Sequence, residues 1–241
     1  LKVLNLYDLD NKSYASQLTS ARAGTVLTDA GITGQSIATG KTTVVASGTF
    51  ALGSSALAHL QDVEETENGL IFADGGGTVV FQDRHYRLTN SGTSQGTIGD
   101  LAGDIRYATG QYDLDDASLW NTAVVTPSGG TEETATDATS KTSHYERRFS
   151  RSLLTSSQAE ALSCAQFIVQ RYADPTSRIP AVELVGARDT SKWPTILAAG
   201  NSQRFVWRRT LSTHTITQDV FVERVSDVVT PNQDWRVTFE L

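Results

Sequence analysis

The side chains with the widest chemical reach are few and dispersed. Asp83-Arg84-His85 is the densest polar triplet, with types suited to proton transfer. Glu64, Glu65 and Glu67 offer clustered carboxylates, and Asp113, Asp115 and Asp116 offer oxygen ligands for a hard cation. The aspartate run lacks the Gly and the distal Glu that make an EF-hand loop. The stretch GQSIATGKTT, residues 34–43, has the ingredients of a phosphate loop. That loop needs two glycines separated by four residues and followed by Lys and Ser/Thr, whereas five residues separate Gly34 from Gly40.

Position along the chain decides what these residues are for. A phosphate loop leaves a strand and opens a helix whose N-terminus faces the anion. Here the helical spacing of Tyr14, Leu18, Ala21, Val26 and Leu27 precedes the stretch, Gly31 stands at a helix C-cap, and the β-branched run 42–45 follows. Residues 34–43 therefore read as a turn from helix to strand, with Lys41 an ordinary turn residue. The three glutamates fall at the end of a second helix and read as a solvated face. Strand alternation sends Arg84 to the face opposite Asp83 and His85, so Arg84 reads as a structural ion pair or an inter-subunit contact. His59, His144 and His214 have no nucleophile signature nearby, and the four histidines lack zinc-ligand spacing. Cys164, the single cysteine, reads as a small buried residue on a helix. Trp120, Trp193, Trp207 and Trp235 fall within apolar strand patterns, as core or interface anchors. No catalytic, cofactor-binding or metal-ligating residue is assigned, and the chain is not expected to be an enzyme.

The 241 residues include no Met and begin at Leu1, so the chain is expected to be a segment of a longer polypeptide. It has no run of 18 apolar residues and no signal-peptide layout, so it is expected to be soluble with no membrane span. Charge is uneven: residues 1–140 hold 7 basic and 17 acidic side chains, and residues 141–241 hold 13 and 10. An acidic front half argues against a broad phosphate-binding surface.

The elements read as a short strand at 2–6, a helix within 13–30, strand material at 42–50 and a helix over 54–68 with a serine N-cap and Gly69 beyond its end. A hairpin follows, Leu70–Ala73 against 78–83 across Asp74-Gly75-Gly76-Gly77. Composition marks 90–104 as a loop or a change of domain. Trp120–Val125 is a strand, Pro127-Ser128-Gly129-Gly130 a turn, and Ser157-Gln158-Ala159-Glu160 a capping box opening a helix that Asp174-Pro175 ends. Strands are expected at 179–185, 203–209, 215–225 and 234–241. The fold class is α+β, predominantly β, with about three helices. Residues 1–100 form a mixed α/β module containing the hairpin 70–88, and residues 101–241 a β-rich, barrel-like module with the helix 157–173.

This order of pieces resembles the minor tail or baseplate-hub-like (tail tip) proteins of siphophages that infect actinobacteria and other high-GC hosts. The resemblance rests on Ala56 to Leu60, on Glu67-Asn68-Gly69-Leu70-Ile71-Phe72-Ala73-Asp74 (the family's E-x-G-x-x-F-x-D) and on Phe81-Gln82-Asp83-Arg84 (F-x-D-R). Trp120 to Thr126 is similar to the N-x-V-x-V strand, and 135–145 to D-x-x-S-x-x-x-Y, with Glu146 where the pattern has Gly. Arg171 to Pro175, Phe221 to Val225 and Trp235 to Phe239 complete it. The resemblance implies β-rich hub-type modules and a virion protein of the tail tip. Its subunits would form a trimeric ring that joins the tail tube to tip, fibre or receptor-binding proteins, and DNA would pass through without specific binding. Cofactors are not implied. The alternative is a host-surface or carbohydrate-binding module, marked by an exposed row of tryptophans; buried Trp193, Trp207 and Trp235 favour the hub.

Overall fold

Six helices occur among the described residues: α1 (Thr19–Asp29), α2 (Ala56–Glu67), α3 (Tyr86–Thr89), α4 (Ala138–His144), α5 (Gln158–Tyr172) and α6 (Trp193–Leu197). The computed structural model describes residues 4–39, 44–89, 92–110, 112–114, 118–186, 190–230 and 235–241. Strand outweighs helix, so the α+β, predominantly β class holds. α2 and α5 stand where apolar spacing and caps place them, whereas α1 begins only at Thr19: Tyr14 and Leu18, counted in its helical spacing, lie in the short strands Ser13–Tyr14 and Gln17–Leu18. The other three are too short to carry a periodic stripe. The chain divides into two units, one from residues 1–86 and 115–176, the other from 87–114 and 177–241. The module boundary at residue 100 falls inside the second unit.

In the first unit, α1 and α2 pack with a three-stranded sheet in the order Gln35–Ile37, Val79–Gln82, Leu70–Ala73. Leu27, Leu60, Val63 and Phe81 are fully buried at its core. The caps explain where α2 begins and ends: the Ser55 hydroxyl accepts from Ala58 N–H at 3.4 Å, and Asn68 turns left-handed at φ 53°. Gly69 then brings the chain so close to the hairpin that a Cβ would lie 2.2 Å from the Gln82 carbonyl oxygen. Asp74 Oδ1 accepts from Gly76 N–H (2.9 Å) and Thr78 N–H (2.8 Å), closing the turn in which Gly77 takes φ +83°.

A second core of the same unit lies between α5 and a sheet in which Thr122–Pro127 runs antiparallel to Glu133–Thr136 and parallel to Arg148–Leu153. Ala123, Val125 and Leu153 meet Ala161, Cys164, Ala165 and Ile168 there. Ser157 caps α5 by accepting from Glu160 N–H at 3.3 Å.

The second unit is a seven-stranded half-barrel sheet. Its order is Thr215–Phe221, Arg204–Thr210, Thr97–Gly99, Ile105–Gly110, Ala181–Val185, Trp235–Glu240, Arg224–Val229. Alternation turns Phe205, Trp207, Val182, Leu184, Val237 and Phe239 to one apolar core.

Several local expectations are corrected. Leu4–Leu6 is a 3-10 turn, and residues 2 and 3 lie outside the described residues. Thr97–Gly99 is a strand inside the segment read as a loop or a change of domain; Gly99 is there because a Cβ would meet the Asp104 carboxylate and, at 3.0 Å, the Arg208 carbonyl oxygen. The expected strand 215–225 is two strands that pair at opposite ends of the sheet order, with buried Val222 between them.

Candidate functional site

Glu67 is completely buried, which overturns its reading as part of a solvated face. Its carboxylate accepts from the Thr19 hydroxyl at 2.6 Å and lies 3.5 Å from Arg84 Nε, whose guanidinium also reaches the Glu67 carbonyl oxygen (3.0 Å) and Glu160 (3.6 Å). Arg84 is thus an ion-pair residue, one of the two readings its sequence context left open. A strand does not place it there. The strand ends at Gln82, and Asp83 Oδ1 accepts from His85 N–H in a turn, so the alternation argument does not apply. Glu64 accepts from Ile71 N–H at 2.9 Å, and burial pushes its carboxyl up, while Glu65 remains exposed. Asn68 donates to Cys164 Sγ and accepts from Arg151, and burial pushes the Cys164 thiol up, away from the thiolate form a nucleophile needs.

A second buried polar group surrounds Arg22, only 1% exposed. Its guanidinium donates to the carbonyl oxygens of Ala15 (2.8 Å) and Ala46 (3.1 Å), lies 5.0 Å from the Tyr14 ring centre, and meets His59 Nε2 at 3.2 Å. His59 can accept from Arg22 only when its ring is neutral. Burial first, and the Arg22 charge second, lower its pKa to about 4. Tyr14 donates to Asp29 at 2.8 Å, and burial together with that carboxylate pushes its hydroxyl up. Carbonyl oxygens, a ring face and a neutral imidazole hold this cation in place of a carboxylate, an arrangement that rigidifies a core.

The third group centres on Asn121, fully buried. Its Nδ2 donates to the Tyr145 carbonyl (2.6 Å) and its Oδ1 accepts from Arg147 N–H (2.8 Å). Asp137 caps α4 by accepting from Ser140 N–H at 2.8 Å, and the Ser140 hydroxyl donates to the Ala173 carbonyl. Asp137, Ser140 and Tyr145, all within the stretch 135–145, therefore act on one loop closure. Sequence reasoning missed Asn121, since the partners it joins lie 24 and 26 residues away.

In the second unit, Arg208 clasps Asp104, with Nε at 3.1 Å from one oxygen and Nη2 on the other. Asp100 accepts from Thr210 N–H and hydroxyl, which lowers its pKa. Trp207 is fully buried; Trp193 and Trp235 pack against the same core with ring centres 5.2 Å apart. Trp120, in the first unit, packs edge-on to Phe149. The tryptophans thus form no exposed row.

Among the described residues no group of three His, Cys, Asp or Glu is placed to hold a metal. Asp115, Asp116 and Lys41 lie outside the described residues. Gln35–Ile37, in the stretch that mimics a phosphate loop, is a strand pairing parallel with Val79–Gln82, and it follows α1 rather than opening a helix. No helix of the described residues is long and apolar enough to cross a membrane.

No protein-family model and no curated protein sequence matches the chain. Solved structures do. A tail protein from Neisseria meningitidis MC58 superposes over 100% of this chain and 71% of its own, at 11% identity and a TM-score of 0.67. The 43 kDa tail protein of prophage MuSo2 from Shewanella oneidensis matches over 95% of this chain and 64% of its own, at 13% identity and a TM-score of 0.61. The chain has the fold of phage tail proteins. A chain in the virion of a native gene transfer agent particle shares the tail-protein fold over 94% of this chain and 48% of its own, at 15% identity and a TM-score of 0.60. Two of these three relatives are thus spanned over less than two thirds of their length. In this chain the groups around Glu67, Arg22 and Asn121 face inward and hold loops and layers together.

Proposed function

We propose that the chain is a structural, non-enzymatic component of a phage tail, a hub-like subunit of the tail tip. In this reading its copies form a trimeric ring that joins the tail tube to tip, fibre or receptor-binding proteins and lines the DNA passage. One observation carries the proposal: the likeness to tail proteins extends over the whole chain, both units included. The chemistry of the polar groups supports it. The buried carboxylates and cations are engaged with one another or with backbone, which suits a rigid scaffold. Trp207 buried and Trp193 paired with Trp235 weigh against the alternative, a sugar-binding platform.

The excess of acidic side chains in residues 1–140 gives the ring a reason to place that part on its lumen, where carboxylates repel DNA phosphates and keep the genome from sticking. Electron microscopy of the assembled particle tests both statements. A three-fold ring around a channel with these carboxylates inward is expected. A chain placed outside the tail overturns the proposal, and carboxylates on the outer rim overturn the lumen assignment alone.

A further inference from the structure

Tyr145 combines two properties that rarely coincide. Its backbone sits at φ 61°, ψ 174°, a region essentially reserved for glycine, and its side chain is 84% exposed. Such a conformation is strained for any residue with a Cβ and persists only where the surroundings enforce it. Here Asn121 enforces it, holding the carbonyl of Tyr145 and the N–H of Arg147 from below. The ring gains nothing from its own fold in return. A large aromatic is therefore held outward at a position where glycine would be relaxed.

Its neighbours set the chemistry of what it meets. Lys141, Arg147 and Arg148, its near neighbours in the chain, are exposed, and the one acid of the segment 141–148, Glu146, is tied to Lys141 at 3.1 Å. A Tyr beside arginines is the composition of an interface anchor. Elsewhere on the same unit the complementary surface exists. The segment 7–11 runs beside 50–56, joined by Leu9 N–H to the Ser54 carbonyl (2.7 Å), Ala56 N–H to the Tyr7 carbonyl (3.0 Å) and Gly53 N–H to Asp10 Oδ1 (2.6 Å). Leu52 (75%) is exposed on this ledge and Leu6 (83%) just before it, and the aspartates Asp8 and Asp10 are exposed on the same segment.

We propose that Tyr145 is an assembly anchor, its ring and cationic rim docking on the leucine and aspartate ledge of a second copy of this chain. The two surfaces differ, so the contact is head-to-tail, and repetition by a closing rotation generates a ring. This deepens the ring reading of the preceding section and rests on it.

The purified chain tests it by native mass spectrometry and sedimentation. The wild type is expected to assemble beyond the dimer, while Tyr145→Gly and Leu52→Ser each give monomers. Tyr145→Gly is expected to melt no lower than wild type, which separates lost docking from lost folding. An equimolar mixture of the two variants keeps one intact anchor and one intact ledge, and is expected to give dimers and nothing larger. A monomeric wild type, or a Tyr145→Gly chain that assembles normally, overturns the anchor; a mixture that stays monomeric overturns the ledge. A ring in micrographs of the intact particle together with normal assembly of Tyr145→Gly leaves the hub reading standing and removes this one. If Tyr145→Gly instead weakens binding of a fluorescent DNA duplex with self-association unchanged, the patch is a nucleic-acid contact and the proposal fails.

Discussion

Glu67 Oε1 lies 3.5 Å from Arg84 Nε, with the carboxylate wholly removed from solvent and the guanidinium nearly so. Glu67 ends α2 and Arg84 lies in the turn that follows the strand Val79–Gln82, and Glu160 of α5 reaches the same guanidinium from the other core of the unit. Removing one member of such a group strands the other in a medium that solvates charge poorly. Arg84→Ala is expected to destabilise the first unit by about 3–5 kcal/mol. Glu67→Gln keeps a side-chain oxygen for Thr19 and leaves Arg84 its Glu160 partner, so its cost is smaller, about 1–3 kcal/mol. Urea unfolding of the two variants checks the order; equal midpoints for Arg84→Ala and wild type would remove the pair from the account.

Two glycines of the same hairpin predict opposite outcomes. A Cβ on Gly69 would overlap the Gln82 carbonyl oxygen at 2.2 Å, so Gly69→Ala must displace backbone and is expected to cost at least about 1–3 kcal/mol. A Cβ on Gly75, in the turn, meets nothing within 4 Å. Gly75→Ala is expected to leave the thermal midpoint unchanged to within a degree or two, roughly what a few tenths of a kcal/mol would move it. Differential scanning calorimetry of the pair distinguishes close approach from mere turn composition.

Stability is expected to fall with acid through His59. Its folded pKa, about 4, lies below the unfolded value of 6.5, so between those values the unfolded chain binds the proton and the native one does not. The contribution is fully present above pH 6.5 and is lost as pH falls towards 4, amounting to about 3 kcal/mol in all. His59→Gln supplies a carbonyl oxygen to Arg22 without titrating, and chemical unfolding from pH 7 to 4 should show a shallower decline for it than for wild type. Parallel curves would mean that carboxylates alone set the acid limit.

What the sequence makes legible here is local. Ser157 and Glu160 are three residues apart and state the start of α5; Asp74 and its glycines state a turn; Ser55 and Gly69 bracket α2. The burial of Glu67 is not legible, because at the end of an amphipathic helix a glutamate reads as solvent-facing until its partner, 17 residues on and across a hairpin, is placed beside it. Asn121 is silent for the same reason, and α4 and α6 are shorter than the windows in which periodicity is read. The break at Val222 is hidden because both flanking segments alternate as one strand would; only the pairing of Thr215–Phe221 and Arg224–Val229 with different partners separates them. The turn read over 34–43 hides the strand Gln35–Ile37, too short to show an alternation and visible only through its parallel pairing with the strand Val79–Gln82.

The tryptophans yield the last prediction. A Cβ on Gly186 would fall 1.9 Å from the Trp193 ring, so this indole packs where only a glycine permits it, against Trp235. Gly186→Ala must therefore evict Trp193 from the edge of the half-barrel core, and its rings should become wetter. A red shift of tryptophan emission and a loss of about 1–3 kcal/mol are expected. Trp193→Ala should lose a similar or larger amount, since an aromatic removed from a core costs about 3–5 kcal/mol. If Trp193→Ala were instead neutral in unfolding but abolished retention on an oligosaccharide column, the indole would serve a ligand and not the core, and the sugar-binding reading would displace the scaffold.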